Sequence, residues 1–282
     1  MKKAPEVGGA GTDAPRGRGR KLAASVALVV ALMAFAALVV PAGALASGKP
    51  YGIKPPPHKH KPKPKPKPKP KPKPSRYDVT TKFAIAIHET PVYRQPTTRS
   101  GVVRRLEFYT PDSEALQTYR FISFRLVGRT MWEHIDVPMR PNGQTGWVKR
   151  SWLGAAMISH TLIVVSEKLF TLTVYRRGKK IFRTPVGVGH FSDPHWPTPT
   201  GHFWIAEAFP SSDPFYGPWA FGTTDYATLT DFPDGSIVGI HGTDAPWLIP
   251  GDPSHGCIRL KDADILKLKR LVRIGTPVWI EP

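Results

Sequence analysis

The sequence predicts a mainly β protein: a small β-barrel, then a larger β-rich domain that carries one short helix close to its C-terminus. Three observations lead there. Short runs rich in β-branched and aromatic residues recur from Tyr77 onward, several with the two-residue alternation of a half-buried strand. One stretch alone, "ADILKLKRLVRI" at 263–274, has helical spacing, with Ile265, Leu268, Leu271 and Val272 on one face, Asp262 as its N-cap and Gly275 as its stop. No long series of alternating strands and helices is present, which argues against a parallel α/β plan.

The N-terminal quarter stands apart from this. Residues 1–75 hold sixteen Lys or Arg against two acids, a net +14, while residues 76–282 carry only +5. The folded part has no helix-turn-helix, RNA-binding or zinc-finger pattern, so nucleic acid is not an expected partner despite the high charge. Residues 1–47 read as a signal peptide or membrane anchor: Arg16, Arg18, Arg20 and Lys21 precede an uncharged apolar run from Leu22 to Val40, and a small-residue "ALA" at 44–46 follows. The run is close to the ~20 residues that span a bilayer, so cleavage and retention both stay open. Export follows from either. Residues 48–75 form a Lys-Pro-rich linker in which Lys61–Pro74 is seven Lys-Pro pairs. Such a segment buries nothing and is held in polyproline II geometry, reaching ~43 Å over the pairs. It serves as a stiff spacer, and its lysines suit anionic wall polymers or a membrane surface.

Residues 76–155 suit an SH3-like barrel. Phe83, Ile85 and Ile87 alternate with Ala84, Ala86 and His88, "ETPVYRQP" breaks that pattern with prolines, and "RFISFRLVG" and "MWEHIDV" read as further strands. Asn142-Gly143 marks a tight turn before a Trp147-Val148 strand. The stretch "WEHIDVPMRPNGQTGWV" resembles the SH3-like module that precedes the catalytic domain in many actinobacterial wall enzymes, with Trp132 and Trp147 as core residues.

Residues 156–282 hold "HTLIVVS", "LFTLTVY" and "KIFRTPVGVG" as strands, with Arg177-Gly178-Lys179 turning between the last two. "GHFWIAEAF" and "SIVGIHG" follow, separated by an aromatic-rich loop, "PSSDPFYGPWAFGTTDY", and "TPVWIEP" closes the chain as a strand. Cys257 is the sole cysteine. In an exported chain it lacks an intramolecular disulfide partner, and a thiol in that setting is a candidate nucleophile. His255 lies two residues before it, and His241 sixteen residues before it at the end of a strand, where catalytic groups often sit. Gly256 lets the backbone turn and expose its own and the Cys257 N–H. A zinc site from His241, His255 and Cys257 lacks a paired H-x-x-x-H or C-x-x-C run, and no metal or cofactor is expected. His190, His195 and His202 read as structural loop residues and His58 and His60 as linker. Tyr216, Trp219 and Trp247 read either as an apolar wall of a cleft or as loop packing.

"HGTDAPWLIPGDPSHGCIRL", together with "PTPTGHF", "YGPWA" and "GTPVWI", resembles the signature of the L,D-transpeptidase (YkuD) family over most of residues 158–282. The resemblance implies a YkuD-type β-sandwich in which Cys257 is the nucleophile, His241 its base and the Gly242 carbonyl the group that orients the imidazole. It also implies an oxyanion hole from the Gly256 and Cys257 N–H groups near His255. Ser254 and Arg259 organise the loop, Arg259 also meeting a substrate carboxylate, with Thr243, Tyr216 and Trp247 at the substrate. The substrate implied is a peptidoglycan stem peptide, attacked at its third residue with loss of terminal D-Ala and then joined to a neighbouring stem in a 3→3 cross-link. Water as acceptor would make an L,D-carboxypeptidase, and an idle Cys257 would leave a wall-binding protein. Oligomeric state is not legible.

Overall fold

In the computed structural model the described residues are 52, 73–110, 115–190, 193, 196–228 and 237–282. The expected targeting segment, most of the Lys-Pro linker, and His58, His60 and His195 lie outside them. Among the described residues no helix is long and apolar enough to cross a membrane.

The first sheet takes β1 (Thr81–Ile85), β2 (Pro91–Tyr93), β3 (Val102–Arg105), β4 (Thr118–Val127), β5 (Thr130–Asp136), β6 (Thr145–Lys149) and β7 (Met157–Ser159) in the order β3-β2-β6-β5-β4-β1-β7. Ala84, Ala86, Val92, Leu106, Tyr119, Ile135, Val137, Val148 and Leu153 make its core. Alternation along β1 sends the other face elsewhere: Phe83 is buried over Gly275, where a Cβ would collide with its ring. Trp132 is buried as expected, but Trp147 is not a core residue. Val148 takes the inward position of β6, so Trp147 turns outward and stacks on His134 at 4.7 Å. β7 pairs with β1, so the first sheet runs to Ser159.

Two further sheets lie in residues 161–281. One orders β10 (Lys179–Pro185), β9 (Thr171–Arg176), β8 (Thr161–Ser166), β18 (Pro277–Glu281) and β12 (Gly201–Trp204). The other orders β13 (Phe209–Pro210), β14 (Trp219–Tyr226), β15 (Ile237–His241), β17 (Ile258–Arg259), β11 (Gly187–Gly189) and β16 (Gly251–Ser254). Ile163, Val165, Leu172 and Val278 of the first meet Phe221, Val238, Ile240 and Ile258 of the second in one core, a β-sandwich. Helix α1 (Asp262–Leu271) adds Ile265 and Leu268 to that core; its N-cap is Lys261, and Asp262 is the first helical residue.

The largest departure from the sequence reading is β14. Residues 219–226 were expected in a loop, yet they form an eight-residue strand buried along nearly its whole length. Covered on both faces, it has no polar-apolar alternation to read, and its Thr223, Thr224 and Asp225 are buried polar residues. β16 and β17 were likewise too short for a pattern.

Candidate active site

β15 and β17 run parallel with Ile240 beside Ile258. That register sets Cys257 level with Gly239. Gly239 and His241 face the same side of β15, two residues apart, and the missing side chain at 239 leaves the space in which nucleophile and base approach each other. The Gly239 N–H donates to Cys257 Sγ at 3.3 Å. A Cβ at 239 would lie 3.5 Å from His241 Cδ2 and 3.6 Å from Cys257 Sγ.

His241 is buried, 1% exposed, and its Nδ1 lies 2.6 Å from the Gly242 carbonyl oxygen. A carbonyl only accepts, so Nδ1 carries the proton and Nε2 keeps its lone pair. Nε2 is buried with no hydrogen-bond partner among the described residues. Desolvation is the main cause that holds the imidazole down to about 4, and nearby Arg259 adds to it. Desolvation likewise pushes the Cys257 thiol up, opposed by the Gly239 N–H and by Arg259. The resting pair is therefore neutral thiol and neutral imidazole. Phe215 and Tyr216, from the 3-10 turn at Pro214–Tyr216, stand 5.9 and 5.0 Å from the His241 ring and cover it.

The loop before Cys257 is tied internally. Ser254 Oγ donates to the Cys257 carbonyl at 2.6 Å and accepts from the Gly256 N–H at 3.1 Å. Gly256 has φ +125°, a conformation that favours glycine. Thr198 Oγ1 accepts from the Gly189 N–H and donates to the Gly256 carbonyl, both at 2.8 Å, clamping the loop to β11. Of the two N–H groups expected for an oxyanion, Gly256's is thus engaged by Ser254.

Other expected site residues sort differently. Arg259 is buried with its guanidinium 4.7 Å from the Phe215 ring centre, and its Nε has no partner among the described residues. Thr243 shapes the loop after His241: its N–H donates to Asp262 Oδ1 and its Oγ1 accepts from the Ala245 N–H. The close approach of that carboxylate needs Gly217 and Gly242, where a Cβ would collide with Asp262 Oδ1. His255 is exposed with its ring against Trp196 at 4.2 Å, and Trp247 is 77% exposed. His190 pairs with Asp252 at 2.9 Å, and His202 stacks on Trp279. Among the described residues no cluster of His, Cys, Asp or Glu could hold a metal.

This geometry agrees with a family match. The model that matches is YkuD, the L,D-transpeptidase catalytic domain, over residues 160–280. The curated YkuD proteins of Bacillus licheniformis and Bacillus subtilis are 33% and 30% identical over 121 and 122 residues, 43% of this chain. The match spans 65% of the length of each of those relatives. Among solved structures, Bd1075 of Bdellovibrio bacteriovorus is 28% identical with a TM-score of 0.35, covering 43% of this chain and 48% of that one. The catalytic domain of the E. faecium L,D-transpeptidase is 26% identical with a TM-score of 0.33, covering 43% of this chain and 95% of that one. Within residues 160–280, the residues that sequence reasoning missed are Thr198, Phe215 and Gly239. "PTPTGHF" and "SIVGIHG" were the available signals for the first and last.

Proposed function

We propose that this protein is an exported peptidoglycan L,D-transpeptidase that makes 3→3 cross-links through a Cys257 acyl-enzyme and releases terminal D-Ala. The observation that carries the reading is the approach of Cys257 and His241 to one point over Gly239, with the His241 Nε2 lone pair buried and unpartnered among the described residues. No hydrogen bond yet joins Sγ to Nε2, a looseness common before substrate arrives.

In the first half-reaction His241 Nε2 takes the thiol proton as Sγ attacks the carbonyl carbon of the stem's third residue. The Cys257 N–H receives the developing oxyanion, since the Gly256 N–H is held by Ser254 Oγ. The imidazolium, steadied through Nδ1 by the Gly242 carbonyl, returns its proton to the departing D-Ala nitrogen, leaving a thioester. In the second half-reaction a side-chain amine of a neighbouring stem loses a proton to His241 and displaces Cys257, which recovers a proton from the imidazolium. Arg259 supports charge at the same place, its buried guanidinium suited to a substrate carboxylate.

On this reading residues 1–47 are the export signal or anchor, 48–75 the spacer that meets anionic wall polymers or the membrane surface, and 76–155 an SH3-like module that carries the catalytic domain at the wall. The test is product analysis after incubation of the protein with disaccharide tetrapeptides. Cross-linked stem dimers together with free D-Ala are expected. Tripeptide alone would replace the transpeptidase with a carboxypeptidase, and unchanged tetrapeptide would leave only wall binding.

A further inference from the structure

The hairpin of β4 and β5 outgrows the sheet that carries it. β1 pairs with β4 only from Thr118 to Arg120, and β6 pairs with β5 only from Trp132 to Asp136. Beyond those registers Leu126 faces Met131 and Val127 faces Thr130 in a two-stranded ribbon, closed by Gly128 and Arg129 with Gly128 at φ +58°. Cross-strand partners share a face, so Phe124, Leu126 and Met131 lie on one side of the ribbon. They are 69%, 64% and 44% exposed, and Ile122 and Val127 are exposed as well. Burial along β4 ends after Thr118 and Tyr119, so side chains of the type that fills a core stand in the open from Ile122 onward.

The charges around this tip have one sign. From Thr118 to Trp132 the sequence holds Arg120, Arg125 and Arg129 and no acid. Arg120 is tied to Asp136, whereas Arg125 and Arg129 are exposed with no ion-pair partner among the described residues. Glu133, the first acid of the ribbon, is buried at its root with Arg150 Nε 3.7 Å from its Oε1. An apolar tip that carries two arginines fits the boundary between lipid headgroups and acyl chains. There the apolar side chains leave water while each guanidinium, on its long stem, stays with the phosphates. A second copy of the chain fits worse, because two such tips would set arginines against arginines in a chain of net charge +19.

We infer that the β4–β5 ribbon is a membrane-contact element: Phe124, Leu126 and Met131 enter the surface of an anionic bilayer, and Arg125 and Arg129 bind its phosphate headgroups. The contact is shallow, about 5–10 Å into the boundary of headgroups and acyl chains, because the ribbon has strand edges whose backbone groups hydrocarbon would leave unsatisfied. The cations of residues 48–75 give the chain a second hold on the same surface, and two linked weak contacts act as one stronger contact. The inference goes beyond the peptidoglycan reading and does not depend on it, since the ribbon selects a bilayer whatever the thiol acts on.

The experiment uses the full chain with Cys257→Ala and Met131→Cys, so that the introduced thiol is the only one and carries an environment-sensitive fluorophore. Vesicles of phosphatidylcholine alone are compared with vesicles of phosphatidylcholine and phosphatidylglycerol in equal parts. On the anionic vesicles the label is expected to shift to the blue, and to be quenched more by lipids spin-labelled high on the acyl chain than by lipids spin-labelled at its end. The same label on Leu169→Cys, another exposed leucine, should stay in water. Arg125→Gln and Arg129→Gln should each lower the ratio of lipid-buried to water-exposed label about fivefold. Phe124→Ser with Leu126→Ser should abolish the quenching and leave the urea midpoint unchanged, since both side chains are already in solvent. Absence of lipid quenching, equal quenching of the two label positions, or equal quenching on neutral and anionic vesicles would overturn the inference. A blue shift without lipid quenching would overturn it too, in favour of a second copy if it grows with the protein-to-lipid ratio and of a segment of the same chain if it does not. D-Ala release from a disaccharide tetrapeptide is scored separately on the chain that keeps Cys257, so failure of the peptidoglycan reading is distinguished from failure of the membrane contact.

Discussion

The His241 Nδ1 stands 2.6 Å from the Gly242 carbonyl oxygen, which fixes the ring as the tautomer whose Nε2 accepts a proton. Since burial holds that imidazole down to about 4, it remains a neutral base well below the usual histidine range. The acid limb of D-Ala release, read as kcat/KM against pH, is expected near pH 4, not near 6.5. Iodoacetamide alkylation of Cys257 should keep rising past pH 9, because the thiol is pushed above its ordinary value of 9.0. The same ring affects stability. Its pKa falls on folding, so the unfolded chain binds the proton more tightly and stability drops as pH falls from 6.5 to about 4. His241→Gln should remove that part of the acid sensitivity, measured as the urea midpoint across the window.

Gly239→Ala tests the space between nucleophile and base. Its φ is not in the left-handed region, and the added methyl would make ordinary contacts with His241 Cδ2 at 3.5 Å and Cys257 Sγ at 3.6 Å. The urea midpoint should hardly move. Acyl transfer should fall by roughly 100-fold, because the methyl occupies the place where Sγ and the imidazole must meet.

Why Gly239 went unnoticed, while Cys257 and His241 did not, says what a sequence can carry. Reactive side chains announce themselves by type and spacing. A glycine whose role is to leave a gap is visible only once the register of β15 against β17 is known. Helix α1 and the hairpin of β9 and β10 were legible for local reasons, a single apolar face and a glycine turn. β14 was not, because a strand buried on both faces has no alternation and its polar Thr223 and Asp225 are paired by tertiary contacts.

Thr198→Val should loosen the nucleophile loop. It leaves the Gly189 N–H and the Gly256 carbonyl without their shared partner in a buried place. A loss of about 1–3 kcal/mol in unfolding free energy is expected, with a lower kcat. Thr198→Ser should keep both hydrogen bonds and most of the activity.

Asp225→Asn should flatten the alkaline side of the stability curve. Burial raises the folded carboxyl to about 8 from an ordinary 3.8, so the folded chain binds the proton more tightly and stability falls as pH rises through that interval. The variant should unfold at higher urea than the parent at pH 8.5, by on the order of 2 kcal/mol, with the two converging near pH 4.

The account stands most directly on an acyl-enzyme at Cys257. Intact mass of the full chain during turnover of a disaccharide tetrapeptide is predicted to reveal an adduct equal to the stem minus D-Ala, located by digestion at Cys257 and absent from Cys257→Ala. D-Ala release without any adduct dependence on Cys257, or its persistence in Cys257→Ala, would contradict the account.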